Sequence, residues 1–328
     1  MAQNKTINNM KNKNQFLKDF KNDVLKGFSS PNKYIPCKYI YDEDGSRLFK
    51  AITKLPEYYL TRSELQIFTE NGDFFGKLLR NLNCNIVEFG VGDGHKTRIL
   101  LGYLYKKEIA FRYYPIDIST NSMTEVINAL KKDFKDLEAT GLIADYLRDL
   151  TCFSRIKTGT NIVLFLGSNI GNMDFRHSIN FLKNIRRSLN KGDYLIIGFD
   201  LKKDPSILQR AYNDSQGLSE KFNKNLLNRI NKELGGNFKL DLFGYSSRYD
   251  IKEGAIVTKL VSKKKQNVYI RSLEKVFSFE KGETIHTESS YKYNQKDIQY
   301  LAKKSGFKII ENLFDDQKFF VNSLWQLV

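Results

Sequence analysis

Residues 86–94 have the sequence Ile-Val-Glu-Phe-Gly-Val-Gly-Asp-Gly, an apolar run that opens directly into three glycines at alternate positions. A short apolar run predicts a buried β-strand, and glycines allow a sharp turn and the close approach of a bulky ligand. The helical spacing of apolar residues over 95–105 predicts a helix directly after the turn. The segment therefore predicts a strand–turn–helix unit, with Gly90 and Gly92 as candidate cofactor contacts.

Alternating strands and helices continue after this unit, and a long helix over residues 62–82 is expected before it. Further strands are predicted at residues 113–118, 140–144, 161–166 and 194–199. Helical patterns separate them, and Ser119 is a plausible cap for one of the helices. Such alternation is typical of an α/β fold with a doubly wound, Rossmann-like, mostly parallel sheet, whose ligand lies at the carboxyl ends of the strands.

The two flanks of this core have a different pattern. Residues 1–15 show no apolar period and predict a flexible tail. Residues 201–290 contain a long amphipathic helix and then alternating runs, which indicates an antiparallel insertion. Its strands are predicted at 238–245, 255–261 and 268–273. We therefore expect a second, smaller α+β substrate-binding domain from 16–62 and 201–290, and a Rossmann-like domain from 63–200 and 291–328.

Acidic residues end the next two predicted strands. A carboxylate at Asp117 can accept both hydroxyls of a ribose, and Asp145 with Tyr146 can meet the amino group and the face of an adenine. Each aspartate alone could be a helix cap or a surface residue, but three successive strand ends together favour an adenosyl ligand. The glycine turn matches neither the P-loop pattern nor the GxGxxG spacing. Lys96 either contacts a carboxylate of the cofactor or projects into solvent.

Composition limits the location and the partners. The net charge of +16 is a property of many nucleic-acid binders, but the tightest lysine cluster is only 263–265. A solvated basic surface is therefore preferred, and we expect no nucleic-acid partner. No run approaches the roughly 18 apolar residues of a membrane span, and no secretory signal is visible, so we expect a cytoplasmic protein. Cys37, Cys84 and Cys152 are widely spaced, so neither a disulfide framework nor a metal site is expected.

Several motifs, in the right order along the chain, match one known family. They are Tyr39-Ile40-Tyr41-Asp42, Leu55-Pro56-Glu57-Tyr58-Tyr59-Leu60-Thr61-Arg62, Lys96-Thr97-Arg98, Phe165-Leu166-Gly167-Ser168-Asn169-Ile170-Gly171-Asn172 and Thr287-Glu288-Ser289-Ser290. The chain resembles the histidine Nα-methyltransferases of ergothioneine biosynthesis, a family that also includes fungal enzymes methylating a prenylated tryptophan. The similarity covers the chain from about Tyr34 to the C-terminus.

The resemblance implies S-adenosylmethionine (SAM) as cofactor and free L-histidine as substrate. Its matching positions imply cofactor contacts at Gly90, Lys96, Asp117, Asp145 and Tyr146. The implied amino-acid contacts are Tyr58, Asn172, Tyr212, Glu288, Ser289 and Ser290, with Tyr41 close by. Asn172 and Tyr41 are the residues expected to act in catalysis. The turn is more glycine-rich than is common in the family, and Tyr146 stands where phenylalanine is common.

The reaction implied is methyl transfer to the α-amino group of histidine, three times, which gives trimethylhistidine (hercynine). Glu288 and Ser290 would hydrogen-bond the two imidazole nitrogens, which favours histidine over an apolar amino acid. Asn172 would hold the amino and carboxylate groups, and Tyr212 would donate to the carboxylate. The ring of Tyr41 could shelter a quaternary ammonium by cation–π attraction.

Other interpretations remain open at this stage. The substrate could be another amino acid, such as a tryptophan derivative, or the basic surface could serve an RNA or protein methyltransferase. A non-catalytic binding protein with the same fold is a third possibility, although neither Asp117 nor Asn172 is lost. His286 either lines the site near Glu288 or lies at the surface. We expect a monomer.

Overall fold

The computed structural model describes residues 2–118, 120–147 and 150–328, with side chains from residue 15 onward except at 119–122. The α-helices are α1 (Ala2–Phe28), α2 (Glu43–Ile52), α3 (Tyr59–Glu70), α4 (Gly72–Leu79), α5 (His95–Lys106), α6 (Thr120–Asp133), α7 (Phe175–Ser188), α8 (Pro205–Tyr212), α9 (Leu218–Leu234) and α10 (Gln295–Ser305). The strands are β1 (Cys84–Phe89), β2 (Phe111–Asp117), β3 (Glu138–Ala139), β4 (Leu142–Ile143), β5 (Thr160–Phe165), β6 (Tyr194–Asp200), β7 (Phe243–Asp250), β8 (Ala255–Ser262), β9 (Gln266–Ile270), β10 (Lys275–Phe279), β11 (Thr284–Tyr291), β12 (Lys308–Phe314) and β13 (Phe320–Gln326).

Two sequence predictions concern residues that the structure describes only in part or not at all. Ser119, expected to cap a helix, lies outside the described residues. A flexible tail was expected over residues 1–15, and the structure describes the side chain of only the last of these residues. The backbone of α1 is helical from Ala2. In the part of the chain that is described, no helix combines the length and the apolar character needed to cross a membrane.

The chain divides into two compact units. Unit 1 comprises Met1–Tyr58 and Asp204–Ser290, and unit 2 comprises Tyr59–Lys203 and Tyr291–Val328. The expected domain boundaries differ from these by four residues at the first crossing and by three at the second, and they coincide at the third. The chain therefore passes three times from one unit to the other.

Unit 2 is built on a doubly wound sheet with the strand order β12-β13-β6-β5-β1-β2-β3, with β4 also paired to β2. The strands from β1 to β6 pair in parallel, and β13 joins β6 antiparallel at one side. The predicted α/β Rossmann-like fold is confirmed by this order. The order reverses between β1 and β5, and ligands of such sheets bind outside the carboxyl ends of strands at this switch point.

A buried ion cluster explains why unit 2 includes Tyr59 and Lys203. Asp200, at the end of β6, is fully buried, and it pairs with Lys203 at 2.5 Å and with Lys292 at 2.7 Å. The phenol of Tyr59 donates to the same carboxylate at 2.6 Å. Burial alone would raise the pKa of Asp200, but the two ammonium groups outweigh it and lower that pKa.

The single helix expected over residues 62–82 is wrong, because two helices, α3 and α4, occupy this segment. Asn71 interrupts them with φ −104° and ψ 21°, and its side-chain amide donates to the carbonyl of Ile67 at 2.8 Å. Gly72 then lies against the ring of Tyr103, where a Cβ atom would fall 2.2 Å from a ring carbon. The break therefore lets α4 approach α5 closely.

Unit 1 contains a three-stranded sheet in the order β11-β8-β7 and a separate antiparallel hairpin of β9 and β10. The sequence predicted strands at the positions of β8 and β9 but missed β10 and β11. Helix α9 packs on α2 and on the 3₁₀ segment Cys37–Ile40. Its Arg229 donates to the carbonyl of Tyr39 at 2.9 Å. Its Asn225 donates to Asp42 at 2.6 Å, so α9 anchors the Tyr-Ile-Tyr-Asp motif.

Candidate functional site

The turn after β1 is held open by glycine. Gly90 has φ +70° and donates its N–H to the carbonyl of Ile116 at 2.9 Å. A Cβ atom at this position would lie 3.1 Å from the hydroxyl of Tyr146, whose ring stacks on Phe89 with centroids 5.0 Å apart. Gly92 has φ +54° with open space around it. The backbone is therefore exposed to a ligand at the carboxyl end of β1.

The two aspartates lie at the ends of adjacent strands, as expected. Asp117 ends β2 and accepts the backbone N–H of Val91 at 3.2 Å, which ties it to the glycine turn. Ile143 of β4 pairs with Asp117, and Asp145 follows two residues later. Asp145 accepts the N–H of Leu147 at 3.2 Å. The strand ends that carry the predicted adenosyl contacts are thus neighbours within unit 2.

Sequence reasoning did not single out Glu88, which lies in β1 two residues before Gly90. Its side chain is buried, and it accepts hydrogen bonds from Thr97 at 2.5 Å and from Tyr113. Burial raises its pKa to about 7, although both hydroxyl donors lower it. The available signal was an acidic residue inside an otherwise apolar strand.

Lys96 does not project into solvent. Its side chain is 22% exposed, and its ammonium lies 2.5 Å from Glu64, a fully buried carboxylate of α3. The same carboxylate accepts the N–H of Gly167 at 2.9 Å. Contact between Lys96 and the carboxylate of the cofactor stays a prediction.

The loop after β5 adopts an unusual backbone. Gly167 and Ser168 both have positive φ, +73° and +55°, and Ser168 is buried with its hydroxyl accepting the N–H of Asp200 at 3.0 Å. Non-glycine residues with positive φ cluster at functional sites. The 3₁₀ segment Asn169–Asn172 follows. Asn172 is half-buried, and among the described residues its amide makes no hydrogen bond, so it is available to a ligand.

These residues of unit 2 fit an adenosyl cofactor. Gly90 has no side chain to fill the space beside the Tyr146 hydroxyl, and the carboxylates of Asp117 and Asp145, at neighbouring strand ends, are acceptors of the kind that ribose hydroxyls and an adenine amino group need. The ammonium of Lys96 supplies a cation for a carboxylate.

Within unit 1, aromatic side chains surround Tyr41. Its ring, 37% exposed, meets Phe222 and Phe49 edge-on with centroids 5.3 and 5.7 Å apart. Tyr58 is buried and lies edge-on to Phe49 and to Tyr212, at 6.1 and 6.2 Å. The structure therefore places the three predicted tyrosines in one aromatic group.

The charge of Glu288, in β11, acts on this group. The pKa of Tyr41 is raised well above its usual value, first by burial and then by the charge of Glu288. Further contributions to this shift come from Cys37, Tyr58 and Tyr212. Cys37, which sequence reasoning did not place here, has its pKa raised to about 12 by burial and by the same carboxylate.

The remaining predicted contacts separate into two sets. The hydroxyls of Tyr212 and Ser290 are 2.8 Å apart, so Ser290 joins the aromatic group. The hydroxyl of Ser289 instead lies 3.3 Å from the ring nitrogen of His286. His286 is half-buried, and burial lowers its pKa. Substrate contact by Ser289 remains a prediction that this geometry does not favour.

Hydrogen bonds between side chains hold the segments that carry the tyrosines. The phenol of Tyr39 is buried and donates to Asp23 at 2.7 Å, which fixes the segment before Tyr41. Glu57 accepts the hydroxyl of Ser215 at 2.7 Å, directly before Tyr58. These contacts lie within unit 1 and limit the freedom of both rings.

Comparison with known proteins agrees with this site. A family model described as histidine-specific, SAM-dependent methyltransferase matches residues 20–327. The chain belongs to this family. The resemblance stated from the motifs is therefore confirmed, and the protein is a SAM-dependent methyltransferase.

Curated relatives of the methyltransferase carry names of the same kind. It is 32% identical to the histidine N-alpha-methyltransferase of Mycolicibacterium smegmatis, over 87% of this chain and 88% of the relative. It is 33% identical to the protein of the same name from Mycobacterium tuberculosis, over 84% and 85% of the two chains. The ergothioneine biosynthesis protein 1 of Schizosaccharomyces pombe is 31% identical over 84% of this chain and 36% of the relative.

Proposed function

We propose that this methyltransferase transfers methyl groups from SAM to the α-amino group of free L-histidine. Three successive transfers would give trimethylhistidine (hercynine), the first step of ergothioneine biosynthesis. The names of the relatives and of the family model support the substrate. The observation that carries the proposal is the group of three tyrosines with Ser290 in unit 1, on which the charge of the half-buried Glu288 acts.

Glu288 and Ser290 are proposed to recognise the imidazole. A carboxylate accepts a proton from one ring nitrogen, and a hydroxyl adapts to the other. The Tyr212 hydroxyl, 2.8 Å from Ser290, can donate to the carboxylate of the amino acid. Substrates without a side-chain N–H would leave these buried polar atoms unpaired, which a site of this kind penalises strongly.

Asn172 and Tyr41 are proposed to act on the reacting nitrogen. SAM supplies an electrophilic methyl group on a sulfonium. The free amide of Asn172 can hold the amino and carboxylate groups, which fixes the direction of the nitrogen lone pair. The phenol of Tyr41 is neutral at physiological pH because the ordinary pKa of a tyrosine is about 10 and burial raises it further, so its ring can lie against a methylated ammonium.

The deciding experiment supplies methyl-labelled SAM and each of the twenty amino acids to the purified enzyme. Histidine should be the main acceptor, with mono-, di- and trimethylated products found in sequence by mass spectrometry. Fragmentation should place all methyl groups on the α-nitrogen. Preferred turnover of tryptophan, or methylation of the imidazole ring, would contradict the proposal.

We also propose that the enzyme acts as a cytoplasmic monomer. Its three cysteines are free thiols, which suits a reducing compartment. The basic charge is proposed to be a solvated surface, without a nucleic-acid partner. Light scattering should give the mass of one 38.2 kDa chain, and retention on RNA at 150 mM salt would argue against the partner assignment.

A further inference from the structure

Glu64 is a charged residue in an unexpected place. It lies in α3, and its side chain has no exposed surface. Glutamate is almost never fully buried unless it is paired. Strand β6 also makes room for it, because a Cβ atom at Gly198 would fall 2.4 Å from a carboxylate oxygen of Glu64. The carboxylate of Glu64 therefore fits only because the neighbouring strand β6 has a glycine at this position.

The partners of Glu64 belong to two segments of the proposed cofactor site, the first turn of α5 and the loop after β5. Lys96, one residue inside α5, places its ammonium 2.5 Å from one carboxylate oxygen. Gly167, after β5, directs its N–H at both oxygens, at 2.9 and 3.1 Å. The two segments follow β1 and β5, the strands between which the order of the sheet reverses. One buried carboxylate thus connects both segments at the switch point.

The two segments are also in close contact with each other. A Cβ atom at Gly167 would lie 3.2 Å from the nitrogen of Lys96. Gly167 and Ser168 both need positive φ, and the same loop continues to Asn172. A loop with this backbone persists only where surrounding contacts determine it. The hydrogen bond from Gly167 to a charged acceptor is such a contact.

We propose that Glu64 is a positioning residue for the cofactor, acting through Lys96. An ammonium can donate three hydrogen bonds, and Glu64 accepts one of them. This fixes the nitrogen and leaves the other two donors for the carboxylate of SAM. Glu64 also holds the loop that carries Asn172. The assignment rests on SAM dependence, and it uses the proposed histidine substrate only for a secondary measurement.

The variant Glu64→Gln separates the two connections. The glutamine oxygen can still accept the N–H of Gly167, but the amide loses the charge that holds Lys96. We expect the dissociation constant for S-adenosylhomocysteine, measured by calorimetry on the full chain, to rise about tenfold. The KM for histidine should change less than threefold. Glu70→Gln, an exposed carboxylate on the same helix, is the matched control and should leave both values unchanged.

A purely structural role for Glu64 gives a different result. It would lower the melting temperature or the binding stoichiometry, while the folded fraction kept the wild-type dissociation constant. That outcome overturns the proposal. The S-adenosylhomocysteine titration contains no amino acid, so an error in the substrate assignment would not affect it.

The double variant Glu64→Gln/Lys96→Met tests whether the effect passes through Lys96. Lys96→Met alone leaves a buried carboxylate unpaired and is prone to misfold, whereas the double variant contains no such charge. We expect the double variant to bind S-adenosylhomocysteine as weakly as the folded fraction of Lys96→Met does, because Glu64 then adds no loss of its own. Wild-type affinity in Glu64→Gln would overturn the assignment. Losses that multiply in the double variant would overturn it as well.

Discussion

The proposed cofactor residues of unit 2 and the tyrosine group of unit 1 use different kinds of chemistry. In unit 2 the proposed contact surface is mainly backbone at strand ends, where Gly90 has no side chain and Asp117 supplies a carboxylate. In unit 1 it consists of aromatic side chains, on which the charge of Glu288 acts. Ligand binding at a backbone surface is weakened by substitutions that add atoms, whereas binding at a side-chain surface is weakened by substitutions that remove them.

The difference also concerns electrostatics. Unit 2 keeps its buried charges in closed groups, such as Glu64 with Lys96 and Asp200 with two lysines. In unit 1, burial and then the charge of Glu288 raise the pKa of the Tyr41 phenol, and Tyr58 and Tyr212 add to the shift. We therefore expect substitutions in unit 1 to change substrate choice, and substitutions in unit 2 to change cofactor affinity and stability.

The largest effect is expected for Glu288→Ala. Loss of the carboxylate leaves an imidazole N–H without its acceptor, which should weaken histidine binding about 1,000-fold, or about 4 kcal/mol. Calorimetry with S-adenosylhomocysteine should show unchanged cofactor affinity. Glu253→Ala, in an exposed turn of the same unit, is the control. Equal losses of histidine and cofactor affinity would break the comparison between the two units.

The next effect concerns stability and pH in unit 2. Glu88 has a folded pKa of about 7, above its ordinary 4.5, so the folded state binds its proton more tightly. Its favourable contribution is complete below pH 4.5 and is lost as the pH rises through 7, by about 3 kcal/mol at most. Glu88→Gln has no such proton, so urea unfolding should show a flatter pH profile from 5 to 8. Parallel profiles for the two proteins would disprove the assignment.

Two glycine variants test how sensitive the backbone surface of unit 2 is to an added side chain. Both Gly90→Ala and Gly92→Ala place an alanine at positive φ, which costs about 1–2 kcal/mol. Only position 90 is also crowded, by the hydroxyl of Tyr146. S-adenosylhomocysteine affinity should fall about tenfold or more for Gly90→Ala and about threefold or less for Gly92→Ala. Equal losses would show that crowding plays no part.

The smallest effect is expected at Tyr41. Tyr41→Leu removes a ring that can lie against a quaternary ammonium, a contact worth about 1 kcal/mol. Trimethylhistidine should bind about fivefold more weakly, while Tyr41→Phe keeps its affinity within about twofold. Binding of unmethylated histidine is the internal reference. A loss shared by histidine and its trimethylated form would instead indicate a steric role.

The proposed cofactor residues could be suggested from local sequence because they lie on consecutive strand–turn units. Gly90 and Asp145 follow strands and Asp117 ends one, and parallel strands bring their carboxyl ends to one edge. Glu64 was not predictable in this way. It occupies a helix far from Lys96 and Gly167 in sequence, and no periodicity indicates its partners.

The amino-acid group could be located only through the family resemblance. Its tyrosines and Glu288 come from widely separated segments, so no spacing relates them. Strand β11 was missed because its sequence is largely polar. Thr287 is buried there because its hydroxyl donates to Asn223 at 2.7 Å, a pairing that composition alone does not reveal.

The two lysines on Asp200 limit the order in which substitutions can accumulate during evolution. Losing Asp200 first would leave Lys203 and Lys292 as neighbouring cations without water, which is far more costly than losing one lysine first. A lineage can therefore reach an apolar version of this cluster by replacing a lysine before the aspartate. The reverse route passes through an intermediate with two buried ammonium groups that lack their counter-ion, which costs about 3–5 kcal/mol of stability. Sequences of diverged copies should contain the aspartate with a single lysine far more often than two lysines without it.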